Sequence, residues 1–207
     1  MKLRHAAASP FVRKVMVVAH EHGLVDRIEL VPTTVSPVQA NESLAPENPL
    51  MKVPSLTTDD GQVLFDSPVI CEYLDSLAGG RKLFPAAGAA RWTALCQQAL
   101  GDGILDALIL CRYETTRPED RRWEGWTGGQ MKKAHQGLAA AEREDLSGPR
   151  TIGRLRSVAP SAISISASRT MAGASVTPGW PPGTARSSSC PRCRRPSRLH
   201  RNGPAGC

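Results

Sequence analysis

From Thr151 to Cys207 the chain contains no aspartate, no glutamate and no lysine, yet it holds nine arginines. The other seventeen of its 26 basic residues and all nineteen acidic ones fall in residues 1–150. The formal charge of +7 is therefore a property of the tail, and the body is mildly acidic. This excludes a basic, nucleic-acid-binding body. The tail arginines offer phosphates only non-specific charge, because Trp180 is the single aromatic there and no folded module accompanies it. No specific nucleic-acid partner is expected. No uncharged apolar run reaches the roughly 20 residues that span a bilayer, so no membrane association is expected either. Met1-Lys2-Leu3-Arg4 resembles the start of a leader, but Arg13 and Lys14 interrupt the apolar stretch and no small-residue cleavage site closes it. The six cysteines (71, 96, 111, 190, 193, 207) form no disulfide framework, and none lies near the first helix. That argues for a reducing cytoplasm and against a thiol–disulfide oxidoreductase. Cys71 and Cys96 fall in apolar helical runs, where buried thiols are ordinary.

The first eighty residues alternate strand and helix patterns, the signature of an α/β unit. Ser9-Pro10 pairs an N-cap residue with proline at the first helical position, and Val12, Val15, Met16 and Ala19 continue at helical spacing to Gly23. Residues 27–31 form a strand, and Pro32 to Pro49 a long irregular connection with one helical turn. Ser55–Thr58 and Gln62–Phe65 flank Asp59-Asp60-Gly61, a hairpin signal. Ser67 to Leu77 carries Val69, Ile70, Tyr73, Leu74 and Leu77 on one helical face. The expected order is β-α-β-α-β-β-α. A Gly-, Ala- and Pro-rich linker (79–90) follows, with Leu83-Phe84-Pro85 to anchor it. Helical periodicity then resumes from Arg91 to about Tyr113 (Leu95, Ala99, Ile104, Leu108) and from about Glu119 to Asp145 (Trp123, Trp126, Met131, Leu138), predicting two long antiparallel helices. There is no internal repeat.

Three stretches carry chemistry. Ser9 sits at a helix start, where its hydroxyl and the first free N–H groups share one space near the positive end of the helix dipole. An anionic sulfur would be stabilised there; the bland alternative is a simple cap, worth about 1 kcal/mol. Val53-Pro54 opens a short strand, a context in which an X-Pro bond is held cis and the preceding backbone is left to pair with an extended peptide. Asp66-Ser67 offers a carboxylate, a hydroxyl and free N–H groups at a second helix start. Together they suit a small peptide bearing an ammonium and carboxylates, of which glutathione is one. His20 and His22 are expected as solvated residues at the end of the first helix, and Trp123 and Trp126 as packing at a helix start.

Ala8-Ser9-Pro10-Phe11-Val12-Arg13-Lys14-Val15, Asn48-Pro49 with Lys52-Val53-Pro54, and Asp66-Ser67 with Ile70-Cys71-Glu72-Tyr73-Leu74 resemble the bacterial cytosolic glutathione S-transferases with an active-site serine. The likeness runs to about residue 153 and includes Gly103-Ile104-Leu105-Asp106-Ala107. It implies a thioredoxin-like α/β domain over residues 1–78 and a partial all-α domain over 91–153. It also implies conjugation of the glutathione thiolate to an electrophilic small molecule, a homodimer, and no metal or redox cofactor, with glutathione as co-substrate. By resemblance Ser9 hydrogen-bonds the sulfur and Val53, before cis-Pro54, pairs with the cysteinyl unit. Asp66 and Ser67 hold the γ-glutamyl ammonium and carboxylate, and Lys52 approaches from the loop. His5-Ala6-Ala7-Ala8 leaves Ser9 as the only hydroxyl of its stretch, so its loss has no local rescue.

Arg154 stands where family members have an aspartate, and the likeness ends there. Residues 154–207 are rich in Ser, Arg and Pro without periodicity, which predicts disorder. Losing the family's later helices would expose an apolar face around Leu95, Leu108 and Leu138. Cys190-Pro191-Arg192-Cys193 lacks both the flanking strand and helix of a redox pair, and its spacing to His200 and Cys207 is too loose for a zinc knuckle. The alternatives to a transferase are a non-catalytic glutathione- or protein-binding member of the fold and a chain inactivated by its C-terminus. Arginine without lysine or acid is what an out-of-frame reading of a GC-rich gene produces. Sequencing the encoding DNA is expected to reveal a family-like continuation in another frame after codon 153; an unbroken frame with none sinks the frameshift.

Overall fold

The computed structural model describes residues 1–144 and 147–155. Nine elements beside two short 3₁₀ turns occur among the described residues: β1 (Lys2–His5), α1 (Pro10–Glu21), β2 (Glu29–Pro32), β3 (Ser55–Thr57), β4 (Val63–Leu64), α2 (Ser67–Leu77), α3 (Gly88–Thr115), α4 (Glu124–Glu142) and α5 (Ile152–Leu155). Ser9 caps α1, Pro10 occupies its first turn, and Val12, Val15, Val18 and Ala19 make its buried stripe. The helix stops where Gly23 takes φ +62°, a conformation that costs glycine little. Gly61, at φ +87°, closes the β3–β4 hairpin in the same way.

The strands form one mixed sheet in the order β2-β1-β3-β4. β1 runs parallel to β2 and antiparallel to β3, and β3 is antiparallel to β4. Leu3 and Leu56, directly opposed across β1 and β3, meet Val15, Val18, Ile70, Cys71 and Leu74 in a single apolar cluster. This is a thioredoxin-like α/β layer. Two expectations are corrected within it. No helix forms between β2 and β3; residues 42–47 are successive turns. Pro46 removes a donor from the segment, so the turns do not extend into a helix even though the Asn41 carboxamide accepts from the Ser43 and Leu44 N–H groups and the Asn41 carbonyl from Leu44 and Ala45. On α2, Val69 is exposed and Asp75 takes a buried position, because that carboxylate has partners to satisfy it.

Helices α3 and α4 are antiparallel: Gln97 meets Glu144, Ile104 approaches Gly137, and Cys111 approaches the Thr127 carbonyl. Ile104, Ala107, Leu108 and Ala134 form their seam. Leu108 is thus buried and Leu95 and Leu138 are partly buried, contrary to the expected bare face. The large exposed side chains are instead Trp92, at 66 %, and Trp123, at 68 %, with Trp126 at 40 %. Trp123 lies over Gly125, so its indole packs on backbone and leaves its outer side to solvent. Cys96 is exposed rather than buried. By length and composition α3 could cross a membrane; here it is the central helix of the second layer, packed on α4 and α5.

Arg154 and Leu155 belong to the α5 turn, which corrects a tail beginning at 154. Ile152 and Leu155 both bury in the core, and the Ile152 N–H donates to the Leu83 carbonyl at 3.0 Å, so the turn is anchored on both sides of Arg154. The remaining tail, including Cys190 and Cys193, lies outside the described residues. A Cβ on Gly153 would stand 2.8 Å from the Ala94 carbonyl oxygen and run into Gln97. Gly153→Ala is therefore expected to destabilise the fold by about 1–3 kcal/mol, as overpacking does. Urea unfolding monitored by circular dichroism measures it, and an unchanged midpoint contradicts the close approach.

Candidate functional site

The registers bring the three sequence motifs to one end of the sheet. β1 ends at His5, next to Arg4, which faces Ser55 at the start of β3. Leu64, the last residue of β4, faces Leu56. Ser9, Val53-Pro54 and Asp66-Ser67 therefore all leave or enter the sheet at that end, each within four residues of a strand terminus.

Ser9 is half-buried at the N-cap of α1, with φ −78° and ψ 119°. Its Oγ accepts from the Val12 N–H at 3.3 Å, and its own N–H donates to the Ala6 carbonyl at 2.9 Å. The cap role is thus real, and it consumes only an acceptor site of the hydroxyl. The O–H proton stays available to a negatively charged neighbour. Capping and anion stabilisation are compatible in one side chain.

Asp66 caps α2 by position, yet its side chain makes no hydrogen bond to that helix. The carboxylate is exposed, while Ser67 is buried beneath it and Pro68 supplies no N–H. Its backbone carbonyl accepts from the Ile70 N–H at 3.1 Å. A helix start with an unengaged carboxylate and unpaired N–H groups can receive both an ammonium and an anionic group.

The loop before β3 is shaped by Asn48, which is 1 % exposed. Its Nδ2 donates to the Lys52 carbonyl at 2.9 Å, and its Oδ1 accepts from the Leu50 N–H at 3.0 Å. Met51 is held at φ +50°, and the Val53-Pro54 bond is cis. Val53 and Pro54 are buried, whereas Lys52 is exposed.

Two groups escaped the sequence reading. Lys14, only 5 % exposed, donates from Nζ to Asp102 Oδ1 and Oδ2 at 2.7 and 2.8 Å. Burial pushes the Asp102 carboxyl up, and Lys14 opposes it. Asp106, one turn further along α3, is also raised by burial; Lys52 opposes that rise and Asp66 adds to it. Both carboxylates thus feel Asp66, and Asp106 also feels Lys52. The spacing of Asp102 and Asp106, four residues apart on one helix, was the available signal. His22 is not solvated: its Nε2 lies 2.9 Å from Asp75 Oδ1, with both side chains 5 % exposed. His20 is exposed, as expected. A separate open cleft of about 690 Å³, lined by Trp92, Thr93, Cys96, Gln97, Leu100 and Glu144, includes none of the motif residues. Among the described residues no group of three or more His, Cys, Asp or Glu side chains is arranged to hold a metal.

Residues 8–77 match the family described as glutathione S-transferase, N-terminal domain. The uncharacterised GST-like protein YibF of Escherichia coli K12 is 33 % identical over 142 residues, covering 69 % of this chain and 68 % of that protein. The chain belongs to the glutathione S-transferase family. A glutathione transferase family member from Pseudomonas fluorescens Pf-5, solved with bound glutathione, is 40 % identical with a TM-score of 0.78. That alignment covers 83 % of this chain and 85 % of the other. A glutathione S-transferase from Methylobacillus flagellatus KT with glutathione bound is 28 % identical with a TM-score of 0.70, covering 82 % and 85 %.

The transferase layer also makes its cysteines distinguishable. Burial pushes the Cys71 thiol up to about 12, although Lys14 works against the rise, while Cys96 is exposed on α3. Brief alkylation followed by peptide mapping is expected to label Cys96 and spare Cys71 until the chain is unfolded; early labelling of Cys71 contradicts its burial.

Proposed function

We propose that this chain conjugates the glutathione thiolate to an electrophilic small molecule. The observation that carries the reading is the Ser9 hydroxyl: it accepts from Val12 and keeps its proton for a sulfur at the start of α1. In this reading Asp66 takes the γ-glutamyl ammonium, and Ser67 with the first N–H groups of α2 takes the carboxylate. The Val53 backbone pairs with the cysteinyl unit before Pro54, and Lys52 attracts the peptide from the Asn48-braced loop. The thiol loses its proton to solvent, and the sulfur lone pair forms the C–S bond as the electrophilic carbon expels its leaving group with the bonding pair or, in an activated alkene, as the π pair moves out and is protonated by solvent. Orientation of the two reactants and the helix dipole supply most of the advantage. The Pseudomonas relative was also solved with S-(propanoic acid)-glutathione, at 39 % identity and a TM-score of 0.74. A thioether held by a relative supports conjugation as the chemistry. We further propose a cytoplasmic homodimer built from a glutathione-binding domain (1–78) and a helical domain (91–153), acting in detoxification without metal or redox cofactor.

Calorimetric titration with glutathione followed by a general electrophile assay tests this. Heat of binding and turnover above the uncatalysed rate are expected, with kcat/KM rising through a thiol midpoint below the free value of about 8.5. Ser9→Ala should move that midpoint upward and cut neutral-pH turnover roughly 10- to 100-fold while altering affinity little. Asn48→Ala should weaken binding instead, about 10-fold, because two loop hydrogen bonds go at once. Binding without turnover in the wild type would leave the non-catalytic member of the fold.

A further inference from the structure

We propose that Lys14 is a positioning residue for this site: gripped by Asp102, it locks the beginning of α1 to α3 and cancels the charge of that carboxylate near the reacting sulfur. The inference rests on the transferase reading above and names a role that reading does not contain.

The position is chosen for charge rather than packing. Lys14 sits in the buried stripe between Val12 and Val15, where a methionine would fill the same space. A buried ion pair is often no more stabilising than apolar residues of equal volume, because both charges must be desolvated. Retaining an ammonium at 5 % exposure with both Asp102 oxygens in reach therefore needs another reason. Lys14 follows Ser9 by five residues on the same helix, roughly 7.5 Å along its axis. The groups whose charges reach this region from the other elements are Asp102 and Asp106 of α3, Asp66 at the N-cap of α2 with Cys71 and Asp75 within that helix, and Lys52 of the loop. Three of these carboxylates, Asp66, Asp102 and Asp106, would repel a developing thiolate near them. Lys14 neutralises one of them and holds α1 in register, so the Ser9 end meets the peptide with less opposing charge.

The two partners should then act on the sulfur in opposite directions. Lys14→Met removes the cation and exposes the thiolate to Asp102; Asp102→Asn leaves the cation uncompensated. At about 7–10 Å and an effective dielectric of about 20–40, one unit charge moves a thiol midpoint by roughly 0.6 to 1.7 units. The experiment titrates the thiolate absorbance of glutathione bound to the full-length wild type and to Lys14→Met, Lys14→Arg and Asp102→Asn, with thermal unfolding and kcat and KM measured on each. The midpoint is expected to rise in Lys14→Met, fall in Asp102→Asn and stay near wild type in Lys14→Arg, with the Lys14→Met loss appearing in kcat more than in KM. Shifts of the same sign, or none, in folded variants overturn the role, since a purely structural pair would lower stability in both without opposite shifts. If Lys14→Met does not fold, a midpoint in Asp102→Asn at or above wild type overturns it. A wild type that takes up no glutathione overturns the transferase reading and this role together, which separates that failure from a failure of Lys14 alone.

Discussion

A single buried carboxylate ties the sheet layer to the helical layer. Asp75, near the end of α2, accepts from the Leu83 N–H at 2.6 Å and the Phe84 N–H at 3.3 Å, while its Oδ1 also lies 2.9 Å from His22 Nε2. It therefore fixes the end of α1, the end of α2 and the chain entering α3. A carboxylate near a helix C-terminus opposes the helix dipole. Lys82 offsets this by donating from Nζ to the carbonyls of Asp75, Ser76 and Ala78. The anchored linker then offers its Leu83 carbonyl to the Ile152 N–H, so α5 docks on a strand of backbone that Asp75 has already placed.

At the opposite end of α1 and α2, the same two helices present their N-termini to the end of the sheet where β1 finishes and β3 begins. The architecture thus separates tasks along two helices: C-terminal ends hold the layers together, and N-terminal ends face the candidate site. That division explains how Ser9 can be both a cap and a candidate for chemistry. A cap needs an oxygen lone pair, and a thiolate needs a proton donor, so neither use competes with the other.

Much of this was legible from residue order because the signals are local. Ser9-Pro10, Asp59-Asp60-Gly61 and Asn48 through Pro54 specify backbone geometry within a few residues, and the structure realises the cap, the hairpin and the cis bond there. The misses required partners distant in sequence. His22 looked like a solvated helix end because Asp75 lies 53 residues away. Lys14 stands out in the sequence only as an interruption of an apolar stretch, because its partner lies 88 residues away, on a helix whose facing could not be read from periodicity alone. The turns at 42–47 do not grow into a helix because Pro46 supplies no N–H donor, although the Asn41 carbonyl still accepts from Leu44 and Ala45. Leu155 looked like tail because composition changes at Arg154, while packing follows the apolar pair Ile152 and Leu155 across that boundary.

The charge count around the site explains why α3 belongs to it even though every residue assigned to the peptide lies between Ser9 and Ser67. Asp66, Asp102 and Asp106 feel one another, and two ammonium groups, Lys14 and Lys52, oppose them. Lys14 is bonded to Asp102 and also acts on Asp106, which Lys52 opposes as well, so three carboxylates meet two ammonium groups and the neighbourhood keeps an excess of one negative charge. An excess of that sign raises the cost of a thiolate and lowers the cost of an ammonium. On the proposed reading a peptide carrying both is accordingly best held with its ammonium toward Asp66 and its sulfur toward the positive end of α1. In the proposed function the two helix starts are therefore not interchangeable grips: their charges favour one direction for a zwitterionic peptide.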